Sequence, residues 1–347
     1  MVWKIPEIIA PCPATRRQAL DRQSQLTKPP GSLGRLEDLA VHFASMQGKA
    51  KPTLDRVWIS VFVADHGIAE ERVSAFPQAV TRLMLRNFVQ GGAAISVLAR
   101  HLDALLEVVD LGVVEPLEDC KEIINARAGN GTANFTKQAA MDEGQLLTSL
   151  SAGSAAARRA FEYGAEIFLG GEMGIANTTS ATAIACALLK VAPDLLVGPG
   201  TGLDAVGVAH KSKLIALALD YHTVGLQTPM EILRRLGGFE IAALTGAYLE
   251  AASLQLPSLV DGFISSVAAL LAVSLQPACL DWLIFAHCSA EPGHRSVLNA
   301  MNAQPILNLS MRLGEGSGAA VAIPLLRTAC LLHGEMATFI EAGIPTE

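Results

Sequence analysis

Val57-Trp58-Ile59-Ser60-Val61-Phe62-Val63 is a nearly unbroken apolar run that stops at Ala64-Asp65-His66-Gly67. A short continuous run of this kind fits a parallel strand buried on both faces. The same unit returns along the chain: an apolar run, a cluster of glycine, acidic or hydroxyl residues, then a helical pattern. Further runs lie at 106–109, 167–169, 195–197, 259–260, 282–285 and 306–309. Alternation of this sort predicts βαβ crossovers and an α/β fold, a parallel sheet flanked by helices in a Rossmann-like large domain. Ligands of such sheets sit beyond the carboxyl ends of the strands, where the polar clusters fall.

The flanks differ. Residues 14–27 read as a helix stopped by Pro29-Pro30, and 35–47 as a second helix after the Gly31-Ser32-Leu33-Gly34 turn. The segment 319–342 reads as a closing helix that packs with them. The expected division is therefore a small helical domain from 1–56 plus 319–347, and a large α/β domain from 57–318 that carries the active site.

Composition narrows the function. The chain has 347 residues, 51% hydrophobic and 17% charged, which excludes disorder. A net charge of −7, with no run of basic residues, argues against nucleic acid and anionic membrane as partners. Six cysteines with no zinc spacing and no signal-like N-terminus read as free thiols of a cytoplasmic protein. The uncharged stretch 262–280 reads as a buried helix rather than a membrane span.

Three clusters carry chemistry. Gly171-Glu172-Met173-Gly174-Ile175-Ala176-Asn177-Thr178-Thr179-Ser180 opens a helix running to about Lys190. Asn177, Thr178 or Thr179 is its expected cap, and the backbone N–H groups there can hold a phosphate. Glu172 reads either as a partner of the helix dipole or as a site residue. Gly198-Pro199-Gly200-Thr201-Gly202 allows backbone to approach an anion, with Lys211 as an added cation. It is neither a P-loop nor a dinucleotide fingerprint. In Leu313-Gly314-Glu315-Gly316-Ser317-Gly318, the glycines expose a carboxylate to close substrate approach, which suits a general base.

Other constellations are weaker. Asp65-His66 with His287 and Glu291 offers zinc-like ligands without a metalloprotease spacing. Ser289, His287 and Asp261 lie at strand ends without a nucleophile elbow. The acidic pairs Glu37-Asp38, Glu118-Asp119 and Asp142-Glu143 do not close an apolar strand, as phosphoribosyl diphosphate enzymes would require.

Taken in order, the clusters resemble the nicotinate-nucleotide–dimethylbenzimidazole phosphoribosyltransferase (CobT) family of cobalamin nucleotide-loop assembly. The likeness rests on the segments 28–37 (Lys28 to Glu37), 64–67, 171–179, 237–241, 261–263, 287–291 and 311–318. It implies transfer of phosphoribose from nicotinate mononucleotide to dimethylbenzimidazole, no metal or cofactor, and a homodimer. It places the catalytic base on Glu315, with Glu172 in the same pocket raising its basicity by charge. Gly174, Ala176, Asn177, Thr178, Gly200, Thr201, Gly202 and Lys211 become candidates for the phosphate and ribose. Ser289, Leu313, Phe76 and Met84 become candidates for the base pocket. The charged segment 69–74 departs from the family pattern and is read as a solvated loop. The competing readings are a non-catalytic nucleotide or base binder and a nicotinamide-dependent oxidoreductase, the latter opposed by the missing glycine fingerprint.

Overall fold

In the computed structural model, which describes residues 3–117 and 120–345, Val57–Ala64 (β1) is buried along its whole length at the centre of a sheet. Five strands join it: Leu105–Gly112 (β2), Ile123–Asn125 (β3), Ile167–Met173 (β4), Ser258–Val260 (β5) and Leu283–Phe285 (β6). The order is β3-β2-β1-β4-β5-β6, with every pairing parallel. The chain therefore leaves β1 toward β2 on one side and later returns to β4 on the other. That reversal between β1 and β4 is the switch point at which a doubly wound sheet opens a crevice.

Twelve helices surround the sheet among the described residues. The first five are Pro13–Gln25 (α1), Arg35–Gln47 (α2), Ala79–Val89 (α3), Ala94–Leu102 (α4) and Glu143–Tyr163 (α5). Then come Asn177–Leu189 (α6), Ala205–His222 (α7), Pro229–Leu236 (α8) and Phe239–Ser253 (α9). The last three are Phe263–Leu275 (α10), His294–Ala300 (α11) and Ser317–Glu335 (α12). The uncharged stretch expected as a buried helix is α10, buried from Phe263 to Ala272. Helix α12 is long and apolar enough to cross a membrane by length and composition, but it lays a buried face against the core.

Four points differ from the sequence reading. Residues 195–197 form no strand: Pro193 starts a 3₁₀ turn, Pro193–Leu195, and Leu195 stands 63% exposed, so the run has no neighbour to pair with. The run 306–309 contributes only a single bridge, Leu307 to His287. Edge strand β3 carries little apolar signal and was not expected. The closing helix ends at Glu335 rather than 342, because the chain turns to pair with the end of α1. There Thr27 N donates to the Ala337 carbonyl and Phe339 N to the Gln25 carbonyl. The Glu118-Asp119 pair lies outside the described residues.

Helix α2 joins the main apolar core, while Ala19 of α1 packs with Val41 and Ala44 of α2 in a small cluster of its own. Leu39, Ala40, Phe43 and Met46 of α2 belong to the main apolar core. The expected boundary at 318/319 falls inside α12. Its N-terminus belongs to the crevice, and its C-terminus is tied to α1.

Candidate active site

The loops after β1, β4, β5 and β6 converge with the 311–318 segment around a cavity of about 270 Å³. Of the residues expected from sequence, Glu172, Gly174, Asn177, Thr178, Gly200, Thr201, Ser289, Leu313 and Phe76 line it. Glu315, Ala176, Gly202, Lys211 and Met84 lie off its lining. Asp261, Gly262, Phe263, His287, Glu291 and Arg312 also line it and were not selected as site residues. The signal for three of them was present: Asp261, His287 and Glu291 close the predicted β5 and β6 units, the place where a parallel sheet binds.

Glu315 owes its position to backbone chemistry. Gly314, Glu315 and Gly316 have φ of 85°, 63° and 84°, three successive left-handed residues. Such a φ at a non-glycine residue stores strain and is typical of functional sites. The turn is pressed onto β4: Glu315 N donates to the Glu172 carbonyl at 3.2 Å, and a Cβ on Gly171 would collide with the Glu315 carbonyl. The Glu315 side chain is 5% exposed, and its carboxylate accepts from Ile95 N in the first turn of α4 at 3.4 Å. Burial pushes this carboxyl above its ordinary value, the Ile95 bond opposes the rise, and the Asp261 charge adds to it.

Glu172 is fully enclosed at the end of β4, and burial, then the neighbouring Glu240 charge, drives its carboxyl well up. The Glu315 charge adds to that rise, so the two carboxyls act on one another, and Asp261 raises both. Glu172 is held by the Asn177 side-chain amide. That contact explains why no side chain caps α6. Ala176 occupies the capping position at φ 78°, Asn177 turns to Glu172, and the Thr178 hydroxyl turns to Lys211.

Lys211, on α7, is completely buried. Its Nζ donates to Thr178 Oγ1 at 2.8 Å and to the Gly198 carbonyl at 3.4 Å. Burial lowers its pKa to about 8. From the other side, Arg312 Nη1 donates to the Gly200 carbonyl at 2.8 Å. Two cations thus brace the 198–200 turn at the cavity wall. Thr201 Oγ1 meets Ser74 Oγ at 2.9 Å and accepts from Ala75 N at 3.0 Å. Glu70 pairs with Lys137, and His210 contacts the Glu71 carbonyl at 2.9 Å. The 69–74 segment is therefore a strap pinned at both sides that delivers Phe76 to the cavity, rather than a free solvated loop. Met84 sits one turn into α3 beside Asn87, away from the lining.

The other histidines hold structure. His66 Nε2 contacts Glu240 Oε1 at 2.6 Å and its Nδ1 contacts Ser180 Oγ at 3.0 Å, locking β1, α9 and α6 together. Asp65 accepts from Val114 N. Asp261 accepts from Ala319 N at 2.7 Å and lies 3.7 Å from His287 Nε2. Ser289 Oγ accepts from Glu291 N, not from His287, so the three residues form no hydrolytic relay. No group of three or more metal-ligating side chains occurs among the described residues.

The site is thus a crevice at the switch point of a doubly wound α/β sheet, lined by buried carboxyls and by a glycine turn that two cations brace. A family model described as phosphoribosyltransferase (DBI_PRT) matches residues 8–344. A Pseudomonas aeruginosa nicotinate-nucleotide–dimethylbenzimidazole phosphoribosyltransferase is 59% identical over 332 residues, 96% of this chain and 95% of the relative. The Azotobacter vinelandii enzyme of the same name is 61% identical over 94% of this chain and 93% of its own. The crystal structure of CobT from Thermus thermophilus superposes with a TM-score of 0.93 at 44% identity, covering 96% of this chain and all of that one. The chain belongs to the nicotinate-nucleotide–dimethylbenzimidazole phosphoribosyltransferase family.

Proposed function

We propose that this enzyme transfers the 5-phosphoribosyl group of nicotinate mononucleotide to 5,6-dimethylbenzimidazole, forming α-ribazole 5′-phosphate and nicotinate for the cobalamin nucleotide loop. One ring nitrogen of the acceptor forms the new bond to the anomeric carbon. The bond from that carbon to the pyridinium nitrogen breaks, and its electron pair neutralises the departing nicotinate ring. No general acid is required for that departure. The acceptor's other N–H loses its proton to the Glu315 carboxylate, so atoms and charge balance.

The observation that carries this reading is Glu315 itself, a buried carboxylate in a strained glycine turn with a raised pKa. A raised pKa makes the ionised carboxylate a stronger base. General-base catalysis contributes about 10²–10⁴-fold, roughly 3–5 kcal/mol of barrier. Holding both substrates in line supplies much of the rest. In the same proposal, Lys211, Thr178, Arg312 and the 198–202 turn serve the phosphate end. Phe76, Ser289 and Leu313 serve the acceptor ring, and no cofactor or metal takes part. The division into 1–56 with 319–347 and 57–318, a homodimeric state and a cytoplasmic location complete it. Steady-state assay of nicotinate release with and without dimethylbenzimidazole tests the reaction. Release that does not depend on the acceptor would make the protein a nucleotide hydrolase, and no release at all from folded protein would leave a non-catalytic nucleotide or base binder.

A further inference from the structure

Glu291 is 6% exposed and lines the cavity, yet its Oε1 has no hydrogen-bond partner. Its other oxygen is packed against Gly198, where any Cβ would strike it. Burial raises its carboxyl above the ordinary value, and the nearby charges of Lys211 and Arg312 and the Gly200 backbone N–H oppose that rise without giving Oε1 a partner. A buried carboxylate left in this state is costly unless something else supplies a donor. The other lining carboxyls are occupied: Glu172 by Asn177, Asp261 by Ala319 N and His287.

The proposed nucleotide substrate narrows what can satisfy Glu291. Its phosphate, ring oxygen and pyridine carboxylate are acceptors. At neutral pH its only hydrogen-bond donors are the ribose 2′- and 3′-hydroxyls. The neighbouring cations brace the 198–200 turn from either side, which suits a phosphate at that end and the diol beside it.

We propose that Glu291 is a specificity-determining residue that accepts hydrogen bonds from the ribose diol and makes the enzyme select ribose over deoxyribose. The proposal rests on the phosphoribosyl reading of the site, but its test needs no acceptor base. Calorimetric titration with ribose 5-phosphate and 2-deoxyribose 5-phosphate compares the two sugars directly. The wild type should bind the ribose compound about tenfold or more tightly, the scale of a lost hydrogen bond to a charged group. Glu291→Ala should bring the two affinities within about threefold, chiefly by weakening the ribose compound. Glu291→Gln, which keeps one acceptor oxygen and the side-chain volume, should fall between them and serves as the folding control. Equal affinities in the wild type, or a preserved preference in folded Glu291→Ala, would overturn the proposal. A wild type that discriminates the sugars but releases no nicotinate with dimethylbenzimidazole would instead count against the reaction.

Discussion

At the scale of single residues, the site sets two carboxyls and a lysine to different tasks through burial and neighbours. Glu315 must be ionised to take a proton. Its raised pKa therefore predicts a kcat/KM that climbs with pH through a limb lying above the ordinary carboxylate range. Lys211 works in the opposite direction: it is cationic below about 8 and neutral above, so the phosphate end should weaken on the alkaline side. A bell-shaped profile is expected. Glu315→Gln should lower kcat by about 10²–10⁴-fold. Lys211→Met should raise the KM for nicotinate mononucleotide and remove the alkaline limb; an unmoved alkaline limb would assign it to another group. Glu315 stands out in the sequence for its flanking glycines, but they do not expose it: its side chain is 5% exposed and lies off the cavity lining, because the left-handed turn presses it against β4 and α4. Glu291 was visible only as one member of a weak metal-like pattern. Its unpartnered oxygen exists only once α7 and the 198–200 turn are brought beside it.

At the scale of elements, α5 and α9 cross with their backbones in close approach. Gly153 of α5 lies against the Ala243 carbonyl of α9, and Gly246 of α9 lies against the Leu150 carbonyl of α5. Both glycines have helical neighbours and no unusual φ, so the sequence shows only two helix-weakening residues. The crossing explains them: each removes a Cβ that would force the backbones apart. Gly246→Ala should destabilise the fold by about 1–3 kcal/mol or more through overpacking, read as a lower midpoint in denaturant at unchanged slope. An unchanged midpoint would mean that the helices separate freely. Strands β1, β2 and β4 were legible because burial on both faces demands continuous apolar runs. The 195–197 run misled because three apolar residues between prolines resemble a strand core, while pairing depends on a neighbour that local sequence does not reveal. The strap at 69–74 was misread for a similar reason, since its anchors, Lys137, His210 and Thr201, are far away in sequence.

At the scale of the whole molecule, α12 joins the crevice to the N-terminal helices. Its first turn donates Ala319 N to Asp261 beneath the cavity, and its last carbonyls, His333 and Gly334, together with that of Met336, accept from Arg22 of α1. Three charge-assisted bonds from one guanidinium fix the C-terminal end of that helix to the N-terminal helices. Arg22→Ala should therefore lower stability by about 1–3 kcal/mol and raise amide exchange in α1 and residues 336–342, while leaving the pH profile in place. The parallel architecture and the position of its crevice were readable from the repeating run-and-cluster unit. That α2 joins the main apolar core was not, because an amphipathic pattern marks a buried face without naming what covers it. The central claim is the reaction and its base. The most direct measurement incubates purified protein with nicotinate mononucleotide and dimethylbenzimidazole, without added metal, and follows products by mass spectrometry beside Glu315→Gln. Nicotinate and α-ribazole 5′-phosphate in equal amounts, lost in the folded variant, are expected. No α-ribazole 5′-phosphate from the wild type, or equal turnover by Glu315→Gln, would contradict it.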